Sequence, residues 1–188
     1  MEHPINSFSE MDRQSIIARA IRTVPDFPVD GILFRDVTTL VKDREAYGLS
    51  CELMQESVSE FGPVDYFAGI ESRGFIYGSV LADRFNKGLV LIRKPGKLPA
   101  RVLYADYKLE YGVDRIEVHA DAVEEGKSYL VIDDLLATGG TAEATCRLIK
   151  SGGGRVAGCL FLIELPGLQG RKKLAGTKVV SIISFDGE

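Results

Sequence analysis

The stretch Val131-Ile132-Asp133-Asp134-Leu135-Leu136-Ala137-Thr138-Gly139-Gly140-Thr141 decides the fold. An apolar strand ends on two adjacent carboxylates, and a turn of small residues then opens a helix. Small residues let the backbone approach a ligand closely. The helix N-terminus presents unsatisfied N–H groups and a partial positive charge, which suits a phosphate. Carboxylates do not attract phosphate, so Asp133 and Asp134 serve another part of the ligand, such as hydroxyls or a metal ion. A sugar phosphate needs both kinds of contact. As a mere strand-to-helix turn the stretch would bury two adjacent acids with nothing to engage them, at a cost. A Walker A loop would need a Lys before Thr141, and the Gly spacing does not match a dinucleotide fingerprint.

Around this stretch, short apolar runs alternate with helical patterns. Val64–Ile70, Gly88–Arg93, Ser128–Asp133, Arg155–Ile163 and Lys178–Ser184 read as strands. Phe75–Phe85, Gly139–Lys150 and Leu168–Leu174 read as the helices between them. Strands separated by helices predict an α/β fold with a parallel sheet covered on both faces, whose ligands bind at the carboxyl ends of the strands. Before this core, Ser9 and Asp12 resemble a capping box, followed by Ile16, Ile17, Ala20, Ile21 and Val24 at helical spacing and ended by Pro25 and Pro28. Asp30–Leu40 reads as irregular to extended, and a helix is expected over Asp43–Phe61. Lys94–Glu125 has no helical pattern. Its tyrosines and the alternation at Ile116-Glu117-Val118 predict extended strands joined by a long loop, and such loops are usually functional.

Two further turns lie at strand ends. Gly69-Ile70-Glu71-Ser72-Arg73-Gly74 alone is an ordinary strand-to-helix turn. Ile92-Arg93-Lys94-Pro95-Gly96-Lys97-Leu98-Pro99 alone is a solvated basic loop. Beside the acidic motif, Arg93, Lys94 and Lys97 supply the cations that a diphosphate requires. They matter because the 188-residue chain carries 23 Lys and Arg against 27 Asp and Glu, a net charge of −4. That balance argues against nucleic-acid binding. Cys51, Cys146 and Cys159 lack paired spacing and read as small buried side chains, and His3 and His119 do not form a metal cluster. No apolar run is long enough to span a bilayer, and the first ten residues carry no secretory signal, so a cytoplasmic protein without a membrane partner is expected. One domain over 1–188 is expected, with a helix and hood over 1–42 and a core over 43–188 containing a loop at about 94–125.

The acidic motif, the Glu71–Arg73 turn and the basic loop together resemble the type I phosphoribosyltransferases. Phe27-Pro28-Val29-Asp30-Gly31-Ile32-Leu33-Phe34-Arg35-Asp36 and Leu109-Glu110-Tyr111-Gly112 are similar to the branch of that family that acts on adenine. The resemblance runs from about Ser9 to the C-terminus, with five motifs in the family's order. It implies a Rossmann-like core with a small hood and a flexible catalytic loop. It implies the reaction of adenine with phosphoribosyl pyrophosphate to give AMP and pyrophosphate in purine salvage. It implies Mg2+ as cofactor, held mainly by substrate and water, and a homodimer.

By the same resemblance, Asp133 and Asp134 hold the ribose hydroxyls, and Ala137, Thr138, Gly139, Gly140 and Thr141 wrap the 5-phosphate. Glu71, Ser72, Arg73, Arg93, Lys94 and Lys97 face the pyrophosphate, with a cis peptide expected between Glu71 and Ser72. Leu33, Phe34, Arg35 and Leu135 surround adenine, although core packing is an equally natural role for Leu135. Glu110 is expected as the general acid near purine N7, Arg73 as its catalytic companion, and Tyr111 helps close the loop. Two alternatives are a 6-oxopurine phosphoribosyltransferase and a non-catalytic purine-sensing regulator. The first needs a donor to the oxo group, and the hood around Leu33 offers no Lys. The second needs a DNA-binding module, for which only the short segment before Asp43 is free.

Overall fold

A computed structural model describes residues 9–108 and 112–186. Its centre is a five-stranded sheet of β3 (Tyr66–Ile70), β4 (Gly88–Ile92), β7 (Ser128–Leu136), β8 (Arg155–Glu164) and β9 (Val179–Ser184). The order is β4-β3-β7-β8-β9 and every pairing is parallel. From β3 the chain moves outward to β4, then returns to lay β7 on the other side. Strand order therefore reverses between β3 and β7, which opens a crevice at their carboxyl ends.

Alternation along β7 shows how both faces are buried. Leu130 and Ile132 pack with α1 (Glu10–Ala20), α3 (Arg44–Ser57) and α4 (Gly74–Arg84), while Tyr129 and Val131 pack on the opposite face. That second face is covered by α5 (Gly140–Ser151) and an antiparallel hairpin, β5 (Val102–Lys108) with β6 (Val113–His119). The expectation of helices on both faces holds, but the second face is half roofed by β-structure. The three cysteines are buried and free, and Cys146 on α5 touches Cys159 on β8 with sulfurs 3.5 Å apart.

The remaining sheet is the two-stranded hood, β1 (Arg22–Pro25) with β2 (Leu33–Asp36). Ser9 caps α1 through a reciprocal capping box with Asp12, as its sequence predicts, but the helix stops at Ala20. Val24 continues the helical spacing yet lies in β1, because the pairing of Arg22–Pro25 with Leu33–Asp36 outcompetes another helical turn. Thr39 Oγ1 also takes the Arg22 N–H, at 3.1 Å, that a longer helix would have used. Thr38–Lys42 forms a short helix, α2, where extended chain was expected; Asp36 Oδ1 accepts the Thr38 N–H at 2.9 Å and starts it. Leu168–Leu174 is not an α-helix. Two 3-10 turns, Pro166–Leu168 and Gly170–Leu174, replace it, separated by Gln169 in the left-handed region. Among the described residues no helix is long and apolar enough to cross a membrane.

Candidate active site

β7 runs three residues beyond the expected Ser128–Asp133, so Asp134 as well as Asp133 lies within the strand. Consecutive strand residues face opposite ways. Asp134 is 1% exposed, whereas Asp133 is half-buried at the crevice. Asp133 Oδ1 accepts the Asp134 N–H at 2.9 Å. Burial, followed by the neighbouring charge of Asp134, pushes the Asp133 carboxyl well above the carboxylate range. Burial also raises Asp134, with Arg73 opposing it. Arg73 Nε lies 3.0 Å from Asp134 Oδ2, yet is not aligned as a hydrogen-bond donor, and that oxygen has no hydrogen-bond partner among the described residues.

The turn after β7 brings Ala137, Thr138 and Gly139 to the start of α5. A cavity of about 90 Å³ is lined there by Asp133, Ala137, Thr138, Gly140, Thr141 and Phe161, among others. Gly139 sets the turn: its φ is +74°, and a Cβ would stand 2.4 Å from the Gly170 carbonyl oxygen. No other residue satisfies both conditions. The loop backbone therefore lines the cavity, beside N–H groups of the first helical turn that lack intrahelical partners.

Next to it, β3 ends in the Glu71–Arg73 turn. The Glu71–Ser72 peptide is cis, as the resemblance leads one to expect, and Phe27–Pro28 is also cis. Gly74 starts α4 so close to β7 that an added Cβ would meet the Ile132 carbonyl oxygen at 2.5 Å. Arg73 reaches from this turn to Asp134 and lies 5.7 Å from the Phe34 ring of the hood. Ser72 is exposed. Glu71 turns inward: it accepts from Arg93 Nε at 3.0 Å and from the Lys94 N–H at 2.7 Å. The Arg93 bond, the largest influence, holds its carboxyl below the ordinary value.

The basic loop is stitched to the hairpin. Arg93 and Glu117 exchange two backbone hydrogen bonds of 2.8 Å each. Lys94 Nζ donates to Tyr107 Oη at 2.8 Å and to Asp114 Oδ2, and the Tyr107 hydroxyl donates to the same carboxylate oxygen at 2.8 Å. Burial opposes the Lys94 charge, but these bonds outweigh it and raise the ammonium above its ordinary value. Lys97 is exposed, with no ion pair among the described residues. The sequence marks Tyr107 only as a strand residue and does not mark Asp114 at all. They are direct partners across the hairpin, and only its register would have revealed them.

In the hood, Leu33 and Phe34 are half-buried and Phe27 packs edge-on against Phe34 at 5.1 Å. Arg35 is 9% exposed; its guanidinium donates to Thr23 Oγ1 at 2.5 Å and sits 4.4 Å over the Phe185 ring. Its side chain is thus committed to the fold, leaving its backbone for any ligand. Leu135 is half-buried and packs against the core, in keeping with the structural role weighed for it. Leu109, Glu110 and Tyr111, with the expected acid–base and loop-closing roles, lie outside the described residues. Among the described residues, no group of three or more His, Cys, Asp or Glu gathers to hold a metal. The paired carboxylates at the crevice fit an ion that keeps most of its oxygen ligands from phosphate and water.

Residues 37–187 match the phosphoribosyl transferase domain family. A protein of Rubrobacter xylanophilus named adenine phosphoribosyltransferase is 51% identical over 171 residues, covering 90% of this chain and 92% of the relative. The crystal structure of adenine phosphoribosyltransferase from Thermoanaerobacter pseudethanolicus superposes with a TM-score of 0.88 at 47% identity, over 92% of this chain and 99% of that one. That of Saccharomyces cerevisiae, complexed with an imino-altritol bisphosphate and adenine, gives 0.87 at 31% identity, over 92% and 99%.

Proposed function

Because the chain belongs to the phosphoribosyl transferase family, among the adenine phosphoribosyltransferases, we propose that it joins adenine to the ribose of phosphoribosyl pyrophosphate, releasing AMP and pyrophosphate. One observation carries the reading: an acid pair and a small-residue cavity at a helix start adjoin an arginine turn, at the reversal point of a parallel sheet. A ribose with a 5-phosphate and a leaving pyrophosphate matches those contacts one for one.

In this mechanism the Ala137–Thr141 backbone binds the 5-phosphate, and Asp133 and Asp134 orient the ribose hydroxyls. As the glycosidic C–O bond breaks, positive charge develops on the sugar, and the nearby carboxylates favour it. Arg73, Arg93, Lys94 and Lys97 meet the negative charge of the departing pyrophosphate, with Ser72 at its turn. Mg2+, when bound, would sit beside Asp133 and Asp134, held mainly by substrate and water, and would supply positive charge to offset part of the leaving group's. Backbone groups of Leu33 and Arg35 read the edge of adenine, with Phe34 and Leu135 flanking the ring. Adenine N9 attacks the anomeric carbon as pyrophosphate leaves, and Glu110 accepts the proton lost from N7, returning it there in the reverse reaction. Tyr111 helps exclude water while the loop is closed. The protein works in the cytoplasm as a homodimer.

A nucleobase panel with phosphoribosyl pyrophosphate and Mg2+, read as pyrophosphate release, tests the reading. Turnover of adenine and little of hypoxanthine or guanine is the expected result; no turnover of adenine overturns it. Glu110→Ala lowers kcat far more than it weakens substrate binding, and an unchanged kcat would remove Glu110 from the chemistry.

A further inference from the structure

Lys94 is held at both ends. Its backbone N–H is fixed to Glu71 at 2.7 Å, and its ammonium, at the far end of the four-carbon side chain, is fixed to Tyr107 and Asp114. An ammonium has three N–H donors. Two are spent on the hairpin, and the third has no partner among the described residues. Lys97, three residues on, carries the same charge without such bonds among the described residues. The Tyr107 ring adds a second restraint, lying 5.4 Å from the Lys94 nitrogen. Tyr107 is 6% exposed, so its position is set by the core.

An acid beside a lysine that is to meet a phosphate cancels part of its charge. Its benefit is order. A free lysine loses the motion of a long stem on binding, whereas one already fixed in place binds without that loss. We propose that Asp114 and Tyr107 are positioning residues, which hold Lys94 so that its third N–H meets an oxygen of the substrate's pyrophosphate. This rests on the ligand assignment made above. It also makes the hairpin, Lys94 and the Glu71 turn one mechanical unit.

The test is calorimetric binding of phosphoribosyl pyrophosphate, with Mg2+ present, to the wild type, Asp114→Asn, Tyr107→Phe, Lys94→Met and the Lys94→Met/Asp114→Asn double variant. Thermal melting of each reports folding. Asp114→Asn is expected to weaken binding about fivefold to tenfold, and Tyr107→Phe about twofold to threefold. Asp114→Glu should recover part of the loss, and the KM for adenine should stay within about twofold of wild type. In the Lys94→Met background the Asp114→Asn effect should vanish. Tighter binding by Asp114→Asn would show that Asp114 merely withholds Lys94, and overturns the proposal. So does an unchanged Kd, or an Asp114→Asn effect that persists without Lys94. A wild type that binds phosphoribosyl pyrophosphate but does not turn over adenine refutes the base assignment alone. One that does not bind it at all refutes both.

Discussion

The two banks of the crevice are built differently. On one, Asp133, Asp134 and the loop to Thr141 belong to the central strand and the helix that follows it. The backbone does most of the work there, and two acids are crowded with one imperfectly aligned cation between them and the hood. On the other, long cations project from turns and two of them are matched to an acid, Arg93 with Glu71 and Lys94 with Asp114. The first bank accepts an electrostatic cost within the core. The second keeps Arg93 and Lys94 satisfied at the rim. Under the proposed function, backbone would grip the ligand on the first bank and side chains would follow the departing charge on the second.

Substitutions can break this contrast, and the largest effect is expected at Gly139. Gly139→Ala adds a Cβ against Gly170 at a positive φ, and should lower kcat/KM about a thousandfold together with Tm. Near-normal kinetics would mean that the backbone bank tolerates movement. Asp133→Asn should lower kcat/KM about a hundredfold yet stabilise the protein free of ligand. The sign follows from its raised carboxyl. A folded-state value above the unfolded one means that stability is lost as pH rises through it. The gain in Tm, about 3 °C for a chain of this length, should therefore be larger at pH 8 than at pH 4. A melting curve showing the reverse order would contradict a strained acid pair.

Glu71→Gln probes the rim. It frees Arg93 and the Lys94 amide, and should raise the KM for phosphoribosyl pyrophosphate about fivefold, with kcat less affected. If it proved more damaging than Asp133→Asn, the ranking of the two banks would be inverted. The smallest effect lies in the hood. Asp36 is held down to about 2, first by the Arg22 hydrogen bond and then by Thr38. A depressed value contributes stability that is full above about pH 4 and lost as pH falls toward 2. Asp36→Asn should cost roughly 1 kcal/mol at pH 7 and flatten the acid side of the stability profile.

The acid pair, the Arg73 turn and the parallel core were legible because each is a local pattern: an apolar run, a charge pair, a glycine, a helix start. What escaped notice depends on pairing between distant segments. Tyr107 and Asp114 became meaningful only once the hairpin placed them opposite each other. Val24 kept helical spacing but was claimed by a strand partner, and Leu168–Leu174 is divided by Gln169 in the left-handed region, which ends one 3-10 turn and starts another. Arg35 illustrates a subtler limit. Its position in the hood was readable, whereas the commitment of its side chain to Thr23 and Phe185 was not, because Phe185 lies 150 residues away in the chain.

Gly74 sits against the Ile132 carbonyl with no space for a side chain. The turn carrying Arg73 and the strand carrying Asp133 are thereby joined backbone to backbone, on neighbouring strands whose spacing is about 4.8 Å in any sheet. The molecule thus contains a ruler. The separation between its two anchoring points is fixed by peptide geometry, so side chains at the mouth are free to vary in sequence without altering the length being measured.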